Sequence, residues 1–466
     1  MRLKEPLKIR IVIDLGAAWT SLVNLARKFR IGHFLLLYLA AHMLQIAFPS
    51  DGSMVFDEAY YIPASVATLQ GVAANAEHPP LPKILGGIGI GLLGNNWFGW
   101  RFPQVLMQVA ALYLFYLIAK RLLGDPWALG ATMLLGLDTI YFIHGGTLLI
   151  DMPMFLFGFL AVELYFRKHY GWSAVSMGLT LLSREMSIFL FITLAAYHLV
   201  ANRSALKPAL KTGLRYGLIA LIVFGGLLWA YDIRYLPPSS TSVTDVAYAN
   251  VVLGSNGTAI TTVTSMSQIT SAQVMWNPIQ HLLFIYNYHG PNGLVINQTY
   301  ESYDYAWNWI LPIHFGPKGS NVNATIADLF NSPSYYRVDV DVSTAAGVTH
   351  YIPIWYDAQA NLALWYMIWP GLVALLVALK RRYEVANVAF ILVGILSNYI
   401  PWVVLSIAVR RIGFNYYMIY TLPFVALAAA FFWKILPPRY GKTGLVLNVA
   451  AAALFFITFF PVRPMP

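Results

Sequence analysis

The sequence predicts an all-α protein that crosses a membrane many times. Of its 466 residues, 58% are hydrophobic and only 11% are charged, whereas soluble domains are about 25% charged. Its mean hydropathy is +0.61, and apolar runs of membrane-crossing length recur along the chain. Lipid offers no hydrogen-bond partners, so the backbone of these runs must be helical. The runs are continuous rather than alternating, which disfavours a β-barrel.

The apolar runs predict about eleven transmembrane helices. They lie near residues 31–48, 101–119, 127–143, 148–166, 171–184, 186–200, 213–231, 361–379, 386–408, 413–433 and 443–460. The run 84–93 is apolar but too short to span, so an interfacial or re-entrant piece is expected there.

The placement of positive charge predicts the orientation. The net charge is +10, but the basic residues do not alternate with stacking aromatics on a polar face, so nucleic acid is not an expected partner. With the N-terminus in the cytoplasm, 21 of the 30 Lys and Arg residues fall in inside segments. This asymmetry follows the positive-inside rule. The chain has no cysteine, which excludes disulfides and thiolate metal sites.

Four regions are expected from this pattern. They are a basic cytoplasmic N-terminus (1–30), an N-terminal transmembrane catalytic module (31–231, with the outer loop 49–100), a large extracytoplasmic loop domain (232–360) and a C-terminal transmembrane module (361–466). The alternating stretch 336–342 predicts short β-strands in the large loop. Three N-x-[ST] sequons, at Asn256, Asn297 and Asn323, agree with an outside location.

The strongest candidates for catalysis are Asp57 and Glu58, which follow the first span. Solvated loop carboxylates or a helix cap are the ordinary alternative. Aromatic neighbours and the membrane would partly desolvate this pair, which raises a carboxyl pKa and makes a usable general base.

A second polar motif, Glu77-His78-Pro79-Pro80-Leu81-Pro82-Lys83, follows about twenty residues later. It can be a stiff polyproline turn. Alternatively, it is a rigid bracket that points Lys83 at an anion near the lipid headgroups.

Further charges lie at the outer ends of spans. They are Arg101 at the second, Asp151 at the fourth, Arg184 at the fifth and Arg411 between the ninth and tenth. Charges near the bilayer are costly, so each needs a partner or a function. Arg184 paired with Glu185 or Asp151 is one interpretation. Outer cations also suggest an anionic ligand, for which phosphate is the natural candidate. No paired-histidine metal spacing is present, so no metal ligands are assigned and a divalent metal has no sequence support.

These motifs resemble those of protein O-mannosyltransferases, which are multispan glycosyltransferases of the GT-C class. The Asp57-Glu58 pair and the His-Pro-Pro motif resemble the first loop of that family. Further landmarks follow in the family's order over nearly the whole chain: 99–103, 148–151, 178–184, Ser302 with 307–309, 361–366 and 411–417. In the last of these, Tyr417 and Met418 occupy the family's His-Tyr positions. The large loop is too short for the β-trefoil of eukaryotic members, which indicates a prokaryotic, archaeal-type member.

The resemblance implies a GT-C fold and transfer of mannose, or a related sugar, from a polyprenyl- or dolichyl-phosphate donor to Ser/Thr hydroxyls of proteins, with inversion. Asp57 would be the base, and Glu58 would orient the acceptor or share that role. Lys83, Arg101 and Arg184 would stabilise the leaving phosphate. Glu77, His78, Asp151, Arg411 and Tyr417 are the expected supporting residues. The donor is a substrate, and no cofactor is required.

The expected partners are the lipid-linked sugar, secreted or cell-surface acceptor proteins and membrane lipids, with a homo- or heterodimer left open. The expected location is the cell membrane with an extracytoplasmic active site, or the ER membrane in a eukaryote. Two alternatives stay open: a GT-C transferase acting on a lipid or glycan acceptor, and a lipid-linked sugar transporter. Transporters usually show repeated halves and midplane charges, whereas these charges lie at the outer ends of spans.

Overall fold

The computed structural model describes residues 29–48, 50, 54–235, 251–253, 259–262, 277–289, 306–310, 335–338, 340–341, 354–408, 413–460 and 462–464. These parts are largely helical, as predicted. The helices are α1 (Ile31–Ile46), α2 (Glu58–Leu69), α3 (Leu81–Leu93), α4 (Trp97–Leu123), α5 (Trp127–Gly136), α6 (Thr139–Gly145), α7 (Asp151–Phe166), α8 (Tyr170–Leu181), α9 (Ser187–Ala201), α10 (Leu206–Arg234), α11 (Pro278–His289), α12 (Leu362–Trp365), α13 (Ile368–Lys380), α14 (Val385–Ala408), α15 (Leu422–Ile435) and α16 (Pro438–Thr458). Short 3-10 helices cover Arg203–Ala205, Ala306–Trp309 and Asn415–Tyr420.

Each predicted span coincides with helical structure, although not always with one long helix. Within the described ranges, five helical stretches are long and apolar enough to cross a membrane, and the bent pair α5–α6 raises this to six. Helices α1, α9 and α15 are apolar but shorter. The protein is therefore a multi-pass membrane protein, while the count of about eleven spans stays a prediction.

The predicted span 127–143 is bent by 71° between α5 and α6. Asp138 lies at the bend and is fully buried. Its carboxylate accepts hydrogen bonds from the backbone N–H of Tyr141 at 2.9 Å and from Trp365 Nε1 at 2.8 Å. The charge within this span therefore caps α6 and ties it to α12. Asp138 is thus a structural residue.

Helix α15 forms the centre of the core. All residues from Leu422 to Phe431 are buried, and the helix packs against α5 and α13. A Cβ added at Gly371 of α13 would lie 2.9 Å from the Cβ of Ala428. A small residue at this position lets the two backbones approach closely, as is typical of helix packing in membranes.

Seven short strands accompany the helices in the described ranges: β1 (Met54–Val55), β2 (Val251–Leu253), β3 (Ala259–Thr262), β4 (Tyr335–Val338), β5 (Val340–Asp341), β6 (Ile354–Gln359) and β7 (Val462–Pro464). They pair antiparallel as β1–β5, β2–β3 and β4–β6–β7. Strands β4 and β5 confirm the strands predicted from the alternating stretch. The pairing of Met54 with Asp341 and of Val55 with Val340 joins the segment before Asp57 to the large loop.

Candidate active site

Glu58 and Arg101 form a buried ion pair, called here the anchor pair. Arg101 Nε donates to Glu58 Oε1 at 2.9 Å, and Arg101 Nη2 donates to Oε2 at 2.7 Å. The backbone N–H groups of Val55 and Leu148 donate to the same carboxylate at 2.7 Å and 2.9 Å. Both charged side chains are 0% exposed. The pair therefore joins the start of α2 to α4 and to the turn before α7.

The anchor pair leaves little capacity for chemistry. An ionised carboxylate offers about four acceptor sites, and four donors occupy the carboxylate of Glu58. Arg101 also extends Nη1 to the backbone oxygen of Ile46 at 3.4 Å. These contacts favour a positioning role for both residues, in place of the predicted base and phosphate-binding roles.

Asp57 precedes the anchor pair directly and differs from its neighbour. Its side chain is half-buried, forms no cap with the N-terminus of α2, and pairs with no other side chain in the described part of the chain. Burial raises its pKa to about 7, while Arg184 opposes the shift and Asp151 adds to it. A carboxyl group with such a pKa is close to half ionised at neutral pH and suits general base catalysis.

The backbone before Asp57 makes a strained turn. Phe56 has a φ of 53°, a left-handed conformation that non-glycine residues seldom adopt. Its ring packs edge-on against Tyr416, with a centroid separation of 5.8 Å. The hydrogen bond from the Val55 N–H to the Glu58 carboxylate spans this turn. Asp57 therefore lies in the turn, directly before α2. Strain of this kind is typical of functional sites.

Asp151 is the centre of a buried polar cluster. His144 Nδ1 lies 2.7 Å from Asp151 Oδ2, and the hydroxyl of Tyr420 donates to Asp151 Oδ1. Arg184 Nη1 lies 3.5 Å from the same Oδ1, and its guanidinium lies 5.8 Å from the centre of the Tyr420 ring. The ion pair of Arg184 with Asp151, predicted as one interpretation, is therefore present. The cluster holds Arg184 near Asp57.

Glu185 brings a second set of groups to this cluster. Its Oε1 lies 3.3 Å from Arg184 Nε and 3.7 Å from His289 Nε2, and its Oε2 lies 3.2 Å from His78 Nδ1. Burial opposes ionisation of Glu185, but Arg184 and the two histidines outweigh burial and hold its pKa well below the usual range.

Lys83 points into its own loop. Its Nζ donates to the backbone oxygens of Asn75 at 2.5 Å and His78 at 2.6 Å, and the residue is 1% exposed. Glu77 accepts a bond from Asn75 Nδ2 at 2.7 Å, and its backbone oxygen lies 2.8 Å from His289 Nε2. These contacts favour Lys83 and Glu77 as braces of the His-Pro-Pro loop and not as ligands of phosphate.

The two remaining predicted site residues are Tyr417 and Arg411. Tyr417 is buried and stacks on Trp402 at a centroid distance of 4.2 Å. Arg411 lies outside the described residues. The structure thus brings Asp57, Asp151, Arg184 and His78 together.

Four members of this site were not predicted as functional residues: His144, Glu185, His289 and Tyr420. Tyr420 lies three residues beyond the 411–417 landmark, which is the one sequence signal that could have identified it.

The anchor pair generates a stability prediction. Glu58→Gln and Arg101→Met should each destabilise the protein by about 3–5 kcal/mol, because each leaves a buried charge without its partner. The double variant should lose less than the sum of the two. Thermal unfolding in detergent measures these losses of stability. The control is Lys120→Met, which removes an exposed ion pair with Asp125 and should change the stability little. A wild-type midpoint for Glu58→Gln would contradict the assignment.

Comparison with known proteins supports the resemblance to protein mannosyltransferases. Residues 77–229 match the family model described as dolichyl-phosphate-mannose-protein mannosyltransferase. The chain is 33% identical over 128 residues to the polyprenol-phosphate-mannose–protein mannosyltransferase of Mycolicibacterium smegmatis, which covers 25% of each sequence. The chain thus matches about a quarter of the length of this curated relative. The family match includes His78, Arg101, Asp151 and Arg184 but not Asp57.

Solved structures extend the likeness to the whole fold. The S. cerevisiae protein O-mannosyltransferase Pmt1-Pmt2 complex bound to the sugar donor aligns with a TM-score of 0.63 and 11% identity, over 92% of this chain and 89% of that one. ArnT from Cupriavidus metallidurans bound to undecaprenyl phosphate aligns with a TM-score of 0.52 and 13% identity, over 91% and 64%. The predicted fold class is confirmed: the chain has the GT-C fold of polytopic membrane glycosyltransferases, and its residues 77–229 carry the sequence pattern of the dolichyl-phosphate-mannose-protein mannosyltransferase family.

Proposed function

We propose that this protein transfers a mannosyl or related sugar from a polyprenyl- or dolichyl-phosphate donor to Ser/Thr hydroxyls of proteins, with inversion at the anomeric carbon. The observation that carries the proposal is Asp57, a half-buried carboxyl with a pKa of about 7 beside the Arg184 cluster. The family match of residues 77–229 supports the donor class. The mannosyltransferase names of the mycobacterial relative and the yeast complex agree with it.

In this mechanism Asp57 accepts the proton of the acceptor hydroxyl. The hydroxyl oxygen then attacks the anomeric carbon while the bond from that carbon to the phosphate oxygen breaks. The lipid phosphate leaves with the bonding electron pair, and one displacement inverts the configuration. Positioning is the contribution of Glu58 and Arg101, because they fix the turn that carries Asp57.

Negative charge accumulates on the lipid phosphate as it leaves. Arg184 is the described cation of this cluster, and Asp151 orients it with the help of His144 and Tyr420. A preoriented guanidinium stabilises charge that develops in the transition state without reorganising. Arg184 is therefore the proposed donor-phosphate residue, with Asp151 as its positioning residue.

The proposed site faces away from the cytoplasm. The Lys/Arg asymmetry of the sequence supports this orientation, with the N-terminus inside. We propose the cell membrane of a prokaryote as the location, and secreted or cell-surface proteins as the acceptors. A lipid or glycan acceptor and transport of a lipid-linked sugar are the alternatives that the experiments below distinguish.

The transfer reaction is tested in liposomes that contain purified protein and labelled polyprenyl-phosphate mannose. We expect label to move to a Ser/Thr-rich peptide, with a loss of at least about 100-fold for Asp57→Asn because the general base is removed. The matched control is Asp125→Asn, which removes an exposed carboxyl paired with Lys120, and this variant should keep full activity.

The same assay separates the alternatives. Transfer of label to a lipid acceptor but not to the peptide would show that the acceptor is a lipid and not a protein. Full transfer by Asp57→Asn would overturn the base assignment. Absence of transfer together with movement of the intact donor across the bilayer would indicate a transporter.

The raised pKa of Asp57 predicts opposite pH effects on activity and stability. Activity in kcat/KM should rise as pH increases through about 7, because the base must lose its proton. The pKa of Asp57 in the folded protein lies above the ordinary aspartate value of 3.8. Stability from Asp57 is therefore complete below that value and is lost as pH rises through about 7.

The corresponding measurement is thermal unfolding of wild type and Asp57→Asn at several pH values. The variant carries no charge at this position, so its midpoint should gain on that of wild type as pH rises from about 4 to about 7, and the difference should then stay constant at higher pH. Parallel midpoint curves for the two proteins would show that Asp57 has an ordinary pKa.

The absence of cysteine makes the orientation directly testable. Gln70 at the end of α2 and Arg439 near the start of α16 are both exposed. In intact cells, a membrane-impermeant maleimide should label Gln70→Cys but not Arg439→Cys. Lysis should make both reactive, which controls for accessibility. Labelling of Arg439→Cys alone in intact cells would reverse the proposed topology.

A further inference from the structure

Two histidines and one carboxylate from three separate segments meet beside Arg184. His78 precedes α3, Glu185 lies in the turn between α8 and α9, and His289 is the last residue of α11. Their ligand atoms all lie within 4.8 Å of one another. We call these three residues the triad.

The separations within the triad suit a tetrahedral metal ion. Ligands about 2.0–2.2 Å from Zn²⁺ are roughly 3.4 Å apart along a tetrahedral edge. His78 Nδ1 lies 3.2 Å from Glu185 Oε2, and His289 Nε2 lies 3.7 Å from Glu185 Oε1. These two distances end on different oxygens of the Glu185 carboxylate and are close to the ideal value. The ligand atoms of the two histidines lie within 4.8 Å of each other, so the side chains would draw together around an ion. His289 Nε2 would exchange its bond to the backbone oxygen of Glu77 for the metal.

The donor set also indicates the kind of ion. Two imidazoles with one carboxylate form a set that zinc enzymes use, with the fourth position open to water or substrate. Imidazole suits Zn²⁺ and its neighbours, whereas Mg²⁺ and Ca²⁺ prefer oxygen ligands.

The charge around the triad gives a second reason for a cation here. The guanidinium of Arg184 faces the carboxylates of both Asp151 and Glu185, so these three side chains together carry one net negative charge. A divalent ion on the triad would offset that charge.

We propose that His78, Glu185 and His289 bind one divalent transition metal ion. Zn²⁺ is the ion that this donor set favours, and the fourth coordination position is open to water or substrate. The ion would tie α11 to the His-Pro-Pro loop and to the α8–α9 turn. This proposal stands on the geometry of the triad and not on the proposed glycosyl transfer, so either can fail without the other. The competing interpretation is a hydrogen-bonded triad without metal.

The test is the metal content of the purified full-length protein. A purification tag without histidine is used, and the protein is stripped with EDTA, incubated with Zn²⁺ and desalted. Inductively coupled plasma mass spectrometry should find about one zinc per chain in wild type. His289→Gln should lose at least about tenfold in affinity for Zn²⁺, since an amide can replace the hydrogen bond but is a poor zinc ligand.

The matched control is His169→Gln, an exposed histidine outside the triad, which should bind zinc as wild type does. Zinc should also raise the thermal midpoint of stripped wild type but not of His289→Gln. X-ray absorption of zinc-loaded wild type should show two imidazole ligands and oxygen ligands on the zinc. This measurement needs no variant, so it tests the proposal even if His289→Gln does not fold. The proposal would be overturned if zinc-incubated wild type contained no more zinc than the background of the measurement. Equal zinc binding by wild type and His289→Gln would also overturn it.

Discussion

The buried pair of Glu58 and Arg101 is the constraint on which the site depends. Two unlike charges at 0% exposure are costly to desolvate, and they are retained only when partners satisfy them. Here the Glu58 carboxylate accepts two hydrogen bonds from the guanidinium of Arg101 and two from backbone N–H groups, so its hydrogen-bonding capacity is filled. In return, the start of α2, the start of α4 and the turn before α7 are fixed relative to one another. Every group of the proposed catalytic cluster is carried by these segments or packs against them.

The anchor pair also explains how two adjacent acids acquire different roles. Glu58 points into the protein, where its charge is neutralised and its acceptor sites are filled. Asp57 stands at the turn, half-buried and without a side-chain partner in the described structure, so desolvation raises its pKa to about 7. Groups of the same chemical type are often separated in this way in active sites, because environment sets their protonation. Arg184 lies close enough to influence the Asp57 carboxyl electrostatically.

The sequence predicted the helical membrane fold well because hydropathy follows the solvent that a segment faces. The sequence also identified Asp57 and Arg184 as candidates, since charges at membrane ends require a reason, and their catalytic roles stay predictions. It did not predict the anchor pair, whose members are 43 residues apart, because only packing shows which charge neutralises which. Lys83 was expected to face phosphate, but its partners are backbone oxygens that sequence patterns do not encode. His289 comes from the large loop, and its place beside Glu185 is a long-range contact.

The central claim is that Asp57, and not Glu58, is the proton acceptor because its pKa lies near neutrality. Infrared difference spectroscopy measures this directly through the band of a protonated carboxyl group as pH is changed between about 5 and 9. A carboxyl band should disappear with a midpoint near pH 7 in wild type. The band should be absent from Asp57→Asn and retained in the control Asp125→Asn. A carboxyl at Asp57 that stays ionised down to about pH 5, or a titrating band that persists in Asp57→Asn, would contradict it.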